Sequence, residues 1–259
     1  MNRIKIGVIP AAGAAKRMGY LGQILPKCLF PVYDKPVIHH VLENMSKVGV
    51  EQVYVIVNHH RDKVIEYLQK VQPEIGVGIE FINQVRLSGI ADAIMLTSKF
   101  IKEPFMVTLG DDCTLTQSMD SIVHSLFEHN AIVVEGVVRE DNKDILKSTC
   151  CLELDHDRRI VRIVEKPEEP FSNLRGCGIY VFQSEIFKYI EKTPLSPLRR
   201  ESEITQTIAL VAKDGKAYAE FINGVNININ SCEDLLQASL LAKRFKLGFV
   251  EDPAMKVRL

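Results

Sequence analysis

PVIHHVLENMSKVGVEQVYVIVN, residues 36–58, changes its period in the middle. The first half sets apolar residues at helical spacing, and VEQVYVIVN reads as a strand. The alternation extends both ways. IKIGVIPA (4–11) is a strand ahead of it. RDKVIEYLQKV (61–71) follows as a helix, GIEFINQ (78–84) as a strand, GIADAIMLTSKFI (89–101) as a helix and PFMVTLGDD (104–112) as a strand ending in two acids. Strands separated by helices, with no hairpin signal between them, predict a parallel sheet covered on both faces. Ligands in such sheets bind at the carboxyl ends of the strands. The loop after residue 11, Gln84 and the pair Asp111 and Asp112 are therefore expected along one sheet edge.

After residue 120 the spacing shortens. AIVVEGVVRE, TCCLELD, RIVRIVEKP and GCGIYVFQ read as strands of an antiparallel or mixed extension. SEIFKYIEKT and ESEITQTIALVAKDG read as helices, AYAEFINGVNINI as strand structure and CEDLLQASLLAKRF as a closing helix. No repeat or linker interrupts the chain, which predicts two lobes around one cleft.

Composition bounds the partners. The 259 residues carry 32 Lys and Arg against 33 Asp and Glu, a formal net charge of -1. That balance removes the electrostatic argument for nucleic acid or a membrane surface as partner, so a cationic site has to be local. No signal sequence or bilayer-length apolar run is present, and a cytoplasmic protein is expected. The six cysteines show no zinc or redox spacing and read as buried thiols. His39-His40 and His59-His60 read as helix-face or surface residues, and RRESE (199–203) as a solvated helix entry. The aliphatic stripe of LLQASLLAKRF reads as core, with the interface of a homo-oligomer as the second reading.

One segment gathers charge. IPAAGAAKRMGYLGQILPKCLFPV (9–32) leaves the first strand through Gly13 and then sets Lys16, Arg17 and Lys27 nearby. Backbone N–H groups at such a turn bind phosphate oxygens, and Arg and Lys add permanent charge. Neither the G-K-[ST] of a P-loop nor a G-x-G-x-x-G is present.

These residues carry a resemblance. Ala11-Ala12-Gly13, Arg17, Pro26-Lys27, Leu29 and Pro31-Val32 resemble the signature loop of the sugar-1-phosphate nucleotidyltransferases. Gln84 with Gly89-Ile90-Ala91-Asp92-Ala93 is similar to that family's base-reading segment, and Gly110-Asp111-Asp112 to its metal-binding G-D-[NDA]. Glu165-Lys166-Pro167 matches its E-K-P, Gly178-Ile179-Tyr180 its T-G-x-Y strand, and Ser231 to Leu235 its T-P-E-D-L helix start. The glucose-1-phosphate thymidylyl- and uridylyltransferases are the branch most resembled.

The resemblance implies a single domain over 1–259 with a Rossmann-like, predominantly parallel but mixed central sheet flanked by helices and a smaller acceptor-binding β lobe. A nucleotide-binding lobe is expected over about 1–120, the acceptor lobe over about 121–230 and a C-terminal helix over 231–259. It implies Mg²⁺-assisted in-line transfer of a nucleoside monophosphate from a nucleoside triphosphate, dTTP or UTP, to a sugar-1-phosphate, with release of pyrophosphate. Ala11, Ala12, Gly13, Ala14, Ala15, Arg17, Lys27, Gln84, Gly89 and Asp111 would bind the nucleotide, and Glu165, Lys166, Gly178 and Cys150 the acceptor. Arg17, Lys27, Asp111 and Lys166 would be catalytic, and Asp111 with Asn228, or Asn230, would hold the metal. A side-chain amide offers both a donor and an acceptor, which suits the edge of uracil or thymine.

The chain departs from the pattern in three places. Ala15 and Lys16 stand for the second loop glycine and its Thr or Ser, Thr149 and Cys150 for a sugar-contacting Tyr-Gly, and Asn228 for the second metal aspartate. A positive φ at Ala15 costs of order 1 kcal/mol or forces another loop shape. Two alternatives stay open: a cytidylyltransferase acting on a non-sugar phosphate or phosphonate, and a silent nucleotide or sugar-phosphate sensor.

Overall fold

In the computed structural model, which describes residues 3–13, 15–196 and 200–248, strand β1 (Ile6–Pro10) enters the centre of a sheet and leaves through a loop into helix α1 (Gly19–Ile24). A small hairpin, β2 (Pro31–Val32) and β3 (Lys35–Pro36), leads into α2 (Val37–Lys47). Alternation then runs through β4 (Gln52–Val57), α3 (Arg61–Ile75), β5 (Gly78–Asn83), α4 (Ile90–Met95) and β6 (Phe105–Thr108). The rest comprises β7 (Asp112–Thr116), α5 (Asp120–Glu128), β8 (Val133–Arg139), α6 (Lys143–Ser148), β9 (Cys150–Leu154), β10 (Ile160–Glu165) and β11 (Leu174–Phe182). It closes with α7 (Ile186–Lys192), α8 (Ile204–Lys213), β12 (Ala217–Phe221), β13 (Gly224–Asn228) and α9 (Cys232–Lys246).

Strands β5, β4, β1 and β6 lie side by side and parallel, with Val8 of β1 opposite Tyr54 on one side and Val107 on the other. Alternate side chains divide between two apolar layers, as the two-residue period of a strand requires. Ile9, Val55, Met106 and Val181 pack with α2, α3 and α5, while Val8, Ile56, Val107 and Phe182 pack with α4, α7 and α8. Burial of both faces gives the parallel half its near-continuous apolar runs.

Strand β11 joins the halves. Its end, Ile179–Phe182, pairs antiparallel with β6, and its start, Leu174 and Arg175, pairs antiparallel with β9. The register against β8 shifts between Gly176 and Tyr180, where Gly178 takes φ +63°. Positive φ is open to glycine at little cost, so one strand serves two partners and splays β9 and β10 from the parallel strands, leaving a cleft between.

Several elements differ from the sequence reading. The strand read over 104–112 ends at Thr108, and Asp112 opens β7, a ribbon partner of β13 in which Asp112 faces Asn228. Helix α4 stops at Met95 and continues only as turns. Helices α5 and α6 lie in stretches to which the sequence reading assigned no element. His39 and His40 are both buried, the first against the Tyr67 hydroxyl at 2.8 Å and the second against the Val32 carbonyl at 3.1 Å. Five of the six cysteines are buried, Cys232 is exposed, and all are free thiols. Among the described residues no helix is long and apolar enough to cross a membrane.

Candidate functional site

The loop after β1 is held from below. The Ala11 N–H donates to the Ile56 carbonyl of the neighbouring strand at 2.8 Å, and Ala11 and Ala12 are buried while Gly13 is exposed. The turn is made at Ala15 (φ 48°, ψ 30°), whose carbonyl accepts from Met18 N–H at 3.0 Å. That carbonyl lies where a Cβ on Gly22 would be, so α1 can pass over the loop only with glycine there. Ala15 keeps the left-handed shape that a glycine would give, at the cost foreseen from sequence. Gly13, read as the turn glycine, has no positive φ. Ala14 lies outside the described residues.

At the end of β6, Gly110 donates to the Pro10 carbonyl at 3.0 Å, setting Asp111 beside the loop. Lys27 reaches it from a short helical turn: Nζ lies 2.7 Å from Asp111 Oδ2 and donates to Asn230 Oδ1 at 3.0 Å. Asn230 Oδ1 also accepts from Arg17 at 3.3 Å, and its amide nitrogen donates to Asn228 Oδ1. Asn230 is fixed by the start of α9, where Asp234 Oδ2 accepts from the N–H groups of Asn230 and Ser231 and Ser231 Oγ caps the helix in return. This reciprocal capping box anchors a residue distant in sequence against two cations of the first loop.

Asp112, read as a loop-turn acid, is instead buried at the root of this cluster. Burial, and after it the charge of Asp111, raises its pKa against the opposing effect of Arg175, Lys27 and Asn228. Its Oδ1 has no hydrogen-bond partner, and its Oδ2 occupies the space left by the missing side chain of Gly178.

Gln84 stands at the end of β5, 4% exposed, with its backbone N–H on the Val57 carbonyl at 2.9 Å and its carbonyl on Asn58 Nδ2 at 2.6 Å. Its side-chain Nε2 donates to the Gly89 carbonyl at 3.3 Å and to Asp92 Oδ2 at 3.1 Å. Gly89 takes φ +106°, and a Cβ there would overlap the Ser202 carbonyl. Ser202 N–H donates to the Ser88 carbonyl at 2.7 Å and the Ser202 carbonyl accepts from Ala91 N–H at 3.0 Å, so residues 200–203 strap across the cleft mouth. The solvated entry read for RRESE is thereby corrected for its described part: Ser202 and Glu203 are buried, Glu201 lines the cleft, and Arg199 is outside the described residues.

Across the cleft, Lys166 adopts φ +48° with its N–H on the Thr149 carbonyl at 2.8 Å. Its Nζ lies 2.7 Å from Glu165 Oε1, and Glu165 Oε2 accepts from Thr205 at 3.1 Å. Beneath them Arg175 grips Asn226 through its side-chain oxygen at 2.7 Å and its carbonyl at 2.8 Å. Glu135 is wholly buried; Cys150 Sγ donates to its Oε1 at 3.5 Å and its Oε2 has no partner. Burial, ahead of the charge of Glu165, pushes its carboxyl up to about 8.

Two cavities meet at this junction. One of about 300 Å³ is lined by Ala11, Ala12, Gly13, Lys27, Gln84, Gly89, Asp111, Glu165 and Lys166. The other, about 190 Å³, is lined by Arg17, Asp111, Asp112, Cys150, Glu165, Lys166, Gly178, Asn228 and Asn230. Almost every described residue selected from sequence thus borders one cleft; Ala15 shapes the loop from behind, and Arg17 faces the second cavity rather than the first. Sequence reading missed Asp92, Arg175, Glu135 and the strap. Asp92 lay inside a quoted motif, whereas the strap acts through a backbone carbonyl that leaves no side-chain signal.

Lys27 Nζ aside, the polar atoms gathered at this corner are oxygens: the Asp111 carboxylate, the Asn228 amide oxygen and the sealed, partnerless Asp112 Oδ1. That donor chemistry fits a hard divalent cation such as magnesium. Asn230 Oδ1 does not belong to the set, because it is turned to two cations.

A sequence profile described as Nucleotidyl transferase matches residues 6–242. The Bifunctional protein GlmU of Methanocaldococcus jannaschii is 30% identical over 232 residues, 90% of this chain and 53% of that protein. The low-salt glycan biosynthesis nucleotidyltransferase Agl11 of Haloferax volcanii is 29% identical over 258 residues, 97% of this chain and 68% of that one. The chain thus spans about half the length of the GlmU relatives it matches. A Bacillus anthracis structure assigned to glucose-1-phosphate thymidylyltransferase, in complex with sucrose, superposes with a TM-score of 0.83 at 26% identity, covering 93% of this chain and 95% of that one. A UDP-glucose pyrophosphorylase complexed with UDP-glucose has the same fold, with a TM-score of 0.83 at 22% identity over 93% of this chain and 99% of that one.

Proposed function

The chain belongs to the nucleotidyl transferase family, and from that premise we propose that it transfers a nucleoside monophosphate from a pyrimidine nucleoside triphosphate to a small phosphorylated acceptor, a sugar-1-phosphate, releasing pyrophosphate. The observation that carries the reading is Asp111, which borders both cavities, with Lys27 Nζ reaching it at 2.7 Å from the first cavity and donating at 3.0 Å to Asn230 of the second. A phosphoryl group handed from one cavity to the other has to pass that point.

The chemistry needs no protein nucleophile. An oxygen of the acceptor phosphate attacks the α-phosphorus; its bond forms as the bond to the bridging oxygen breaks, and pyrophosphate leaves with the electron pair. The protein has to align the reactants and neutralise charge. Lys27 meets the charge on the α-phosphate, the amides of the first loop meet the pyrophosphate end with Arg17 reaching it from the side of the second cavity, Lys166 meets the acceptor's phosphate and Glu165 an acceptor hydroxyl. Magnesium, held by Asp111 and Asn228, supplies charge neutralisation and Lewis-acid polarisation of phosphoryl oxygens when bound.

UTP and dTTP are the nucleotides that the sequence favours, with CTP as the alternative. A non-sugar phosphate or phosphonate as acceptor is supported by Thr149 and Cys150 standing where the family has a sugar-contacting Tyr-Gly. A second reading, a sensor without turnover, rests on Asn228 standing in place of a carboxylate. Pyrophosphate release, measured for CTP, UTP and dTTP against a panel of sugar phosphates and other small phosphates with and without magnesium, tests these readings. Magnesium-dependent release with one pairing is expected. Binding of nucleotide with no release from any pairing would leave the sensor.

A further inference from the structure

Arg175 is a buried cation without a paired anion. It is 5% exposed, and among the described residues its partners are neutral oxygens: Nη1 donates to Asn226 Oδ1 at 2.7 Å and to the Gly176 carbonyl at 3.4 Å, and Nη2 donates to the Asn226 carbonyl at 2.8 Å. Asp112 lies within reach of its charge but makes no ion pair with it. Nε is sealed and partnerless. A guanidinium presents five N–H groups, so one hydrogen on Nη2 and the whole positive charge stay uncommitted. Burying a charge is costly unless an opposite charge meets it.

The residue stands on the wall of the acceptor cavity. It lines the cavity of about 190 Å³ together with Lys166, and it also lines a third cavity, of about 510 Å³, built from β8, α6, β13 and α9. Thr149, at the position of the family's tyrosine, borders both. The third cavity adds Arg17, on the Asn230 amide oxygen, and Arg139, over the Phe221 ring. Its carboxylates are engaged with backbone N–H groups, Glu140 with that of Asn142 and Asp234 with those of Asn230 and Ser231.

We infer that the acceptor carries a carboxylate in addition to its phosphate, and that Arg175 selects it at the passage between these two cavities. The inference rests on the transferase reading of the cleft. With the phosphate held by Lys166, the rest of the acceptor fills the same cavity and meets Arg175 on its wall. One free N–H suits a singly charged carboxylate better than a second phosphate, whose three oxygens and greater charge call for more donors. A neutral hydroxyl in that place leaves the guanidinium unpaired, and a hydrogen bond between charged groups is worth about tenfold or more in affinity.

Two matched pairs of acceptors test this: glucuronic acid 1-phosphate against glucose 1-phosphate, and 3-phosphoglycerate against glycerol 3-phosphate. The members of each pair share the phosphate ester and differ by a carboxylate against a hydroxymethyl group. Equilibrium titration into protein saturated with magnesium and the α,β-methylene analogue of UTP or CTP reads affinity without turnover. In at least one pair the carboxylate is expected to bind at least about tenfold more tightly than its neutral partner. Arg175→Gln, which keeps a donor for Asn226 but not the charge, is expected to bring that ratio toward one. The wild-type ratios decide the matter even if that variant does not fold. Equal binding within both pairs would overturn the inference, as would no binding by any of the four or an unchanged ratio in folded Arg175→Gln. Equal weakening of both members of a pair by Arg175→Gln would also overturn it, since Arg175 would then hold the phosphate itself. A carboxylate preference with no pyrophosphate release from the true triphosphates would overturn the proposed transfer and leave the charge selection standing, whereas release with equal binding within the pairs would do the reverse.

Discussion

The two sides of the cleft are built by different means. On the side we assign to the nucleotide, Ala11, Gln84 and Asp111 follow directly from the ends of parallel strands, and backbone hydrogen bonds to Ile56, Val57 and, through Gly110, Pro10 set where each stands. On the side we assign to the acceptor, position depends on buried side chains: Arg175 on Asn226, Cys150 on Glu135, Thr205 on Glu165, with orphaned oxygens on Asp112 and Glu135. A site placed by backbone tolerates side-chain exchange until the exchanged group is itself chemical. A site placed by buried polar side chains is sensitive to each of them, because a half-satisfied network in a low dielectric is costly.

The largest effect expected is on the nucleotide side and is purely chemical. Asp111→Asn keeps the shape of the strand end but removes the carboxylate offered to the metal, and Lys27 then faces a neutral amide. Magnesium-dependent pyrophosphate release is expected to fall by roughly 10²–10³-fold, with the thermal unfolding midpoint changed little, because Asp111 is part-exposed and losing its pair with Lys27 is offset by relief of the like charge it sets beside buried Asp112. Retained activity would move the metal away from β6.

On the acceptor side the expected effect is on stability. Burial pushes Glu135 up to about 8 from an ordinary value of 4.5. Between those values the folded state holds a proton that the unfolded state has released, so the contribution of Glu135 to stability is fully present below pH 4.5 and is lost as pH rises toward 8. Glu135→Gln, which cannot ionise, is expected to flatten that decline by an amount on the order of a few kcal/mol. Urea unfolding of both proteins at pH 5 and pH 9 measures it. Asp112 declines with the same sign in both proteins, so the difference between them isolates Glu135. Equal slopes would mean that Glu135 is solvated and that the two sides of the cleft are less distinct than described.

A smaller effect separates the cavities from each other. Lys166→Ala removes one charge-assisted phosphate contact and is expected to raise the KM for the acceptor roughly tenfold, leaving the affinity for nucleotide within a factor of two or so. Loss of nucleotide affinity with acceptor binding intact would reverse the assignment of the two cavities.

What was legible in the sequence follows the same division. The strand–helix alternation around residues 36–58 and the strand-end positions of Gln84 and Asp111 were readable, because a two-residue period and a sheet edge place them. Asp112, Glu135 and Arg175 were not, since a lone charged residue at the head of a strand or within an apolar one carries no sign that a partner far along the chain will bury it. The Gln84–Asp92 contact lies between: both residues were in view, but which face of the amide is spent depends on an i,i+8 bond across a loop. Ser202 was beyond reading, because its carbonyl rather than its side chain occupies the space at Gly89.

The smallest effect tests whether the first loop is defined by backbone alone. Ala15 sits at φ 48°, ψ 30°, where a non-glycine residue is disfavoured by about 1–2 kcal/mol. Ala15→Gly relieves that strain but frees the unfolded chain, at about 0.5–1 kcal/mol. The balance is a stabilisation of at most about 1.5 kcal/mol. Because the Met18 N–H and the close approach of Gly22 already hold the Ala15 carbonyl in place, the loop shape stays as it is and pyrophosphate release should be unchanged. Denaturant midpoints and initial rates of the two proteins, measured side by side, check both halves of this. A large gain in rate would mean that alanine holds the loop away from its working shape, and the nucleotide side would then depend on a side chain after all.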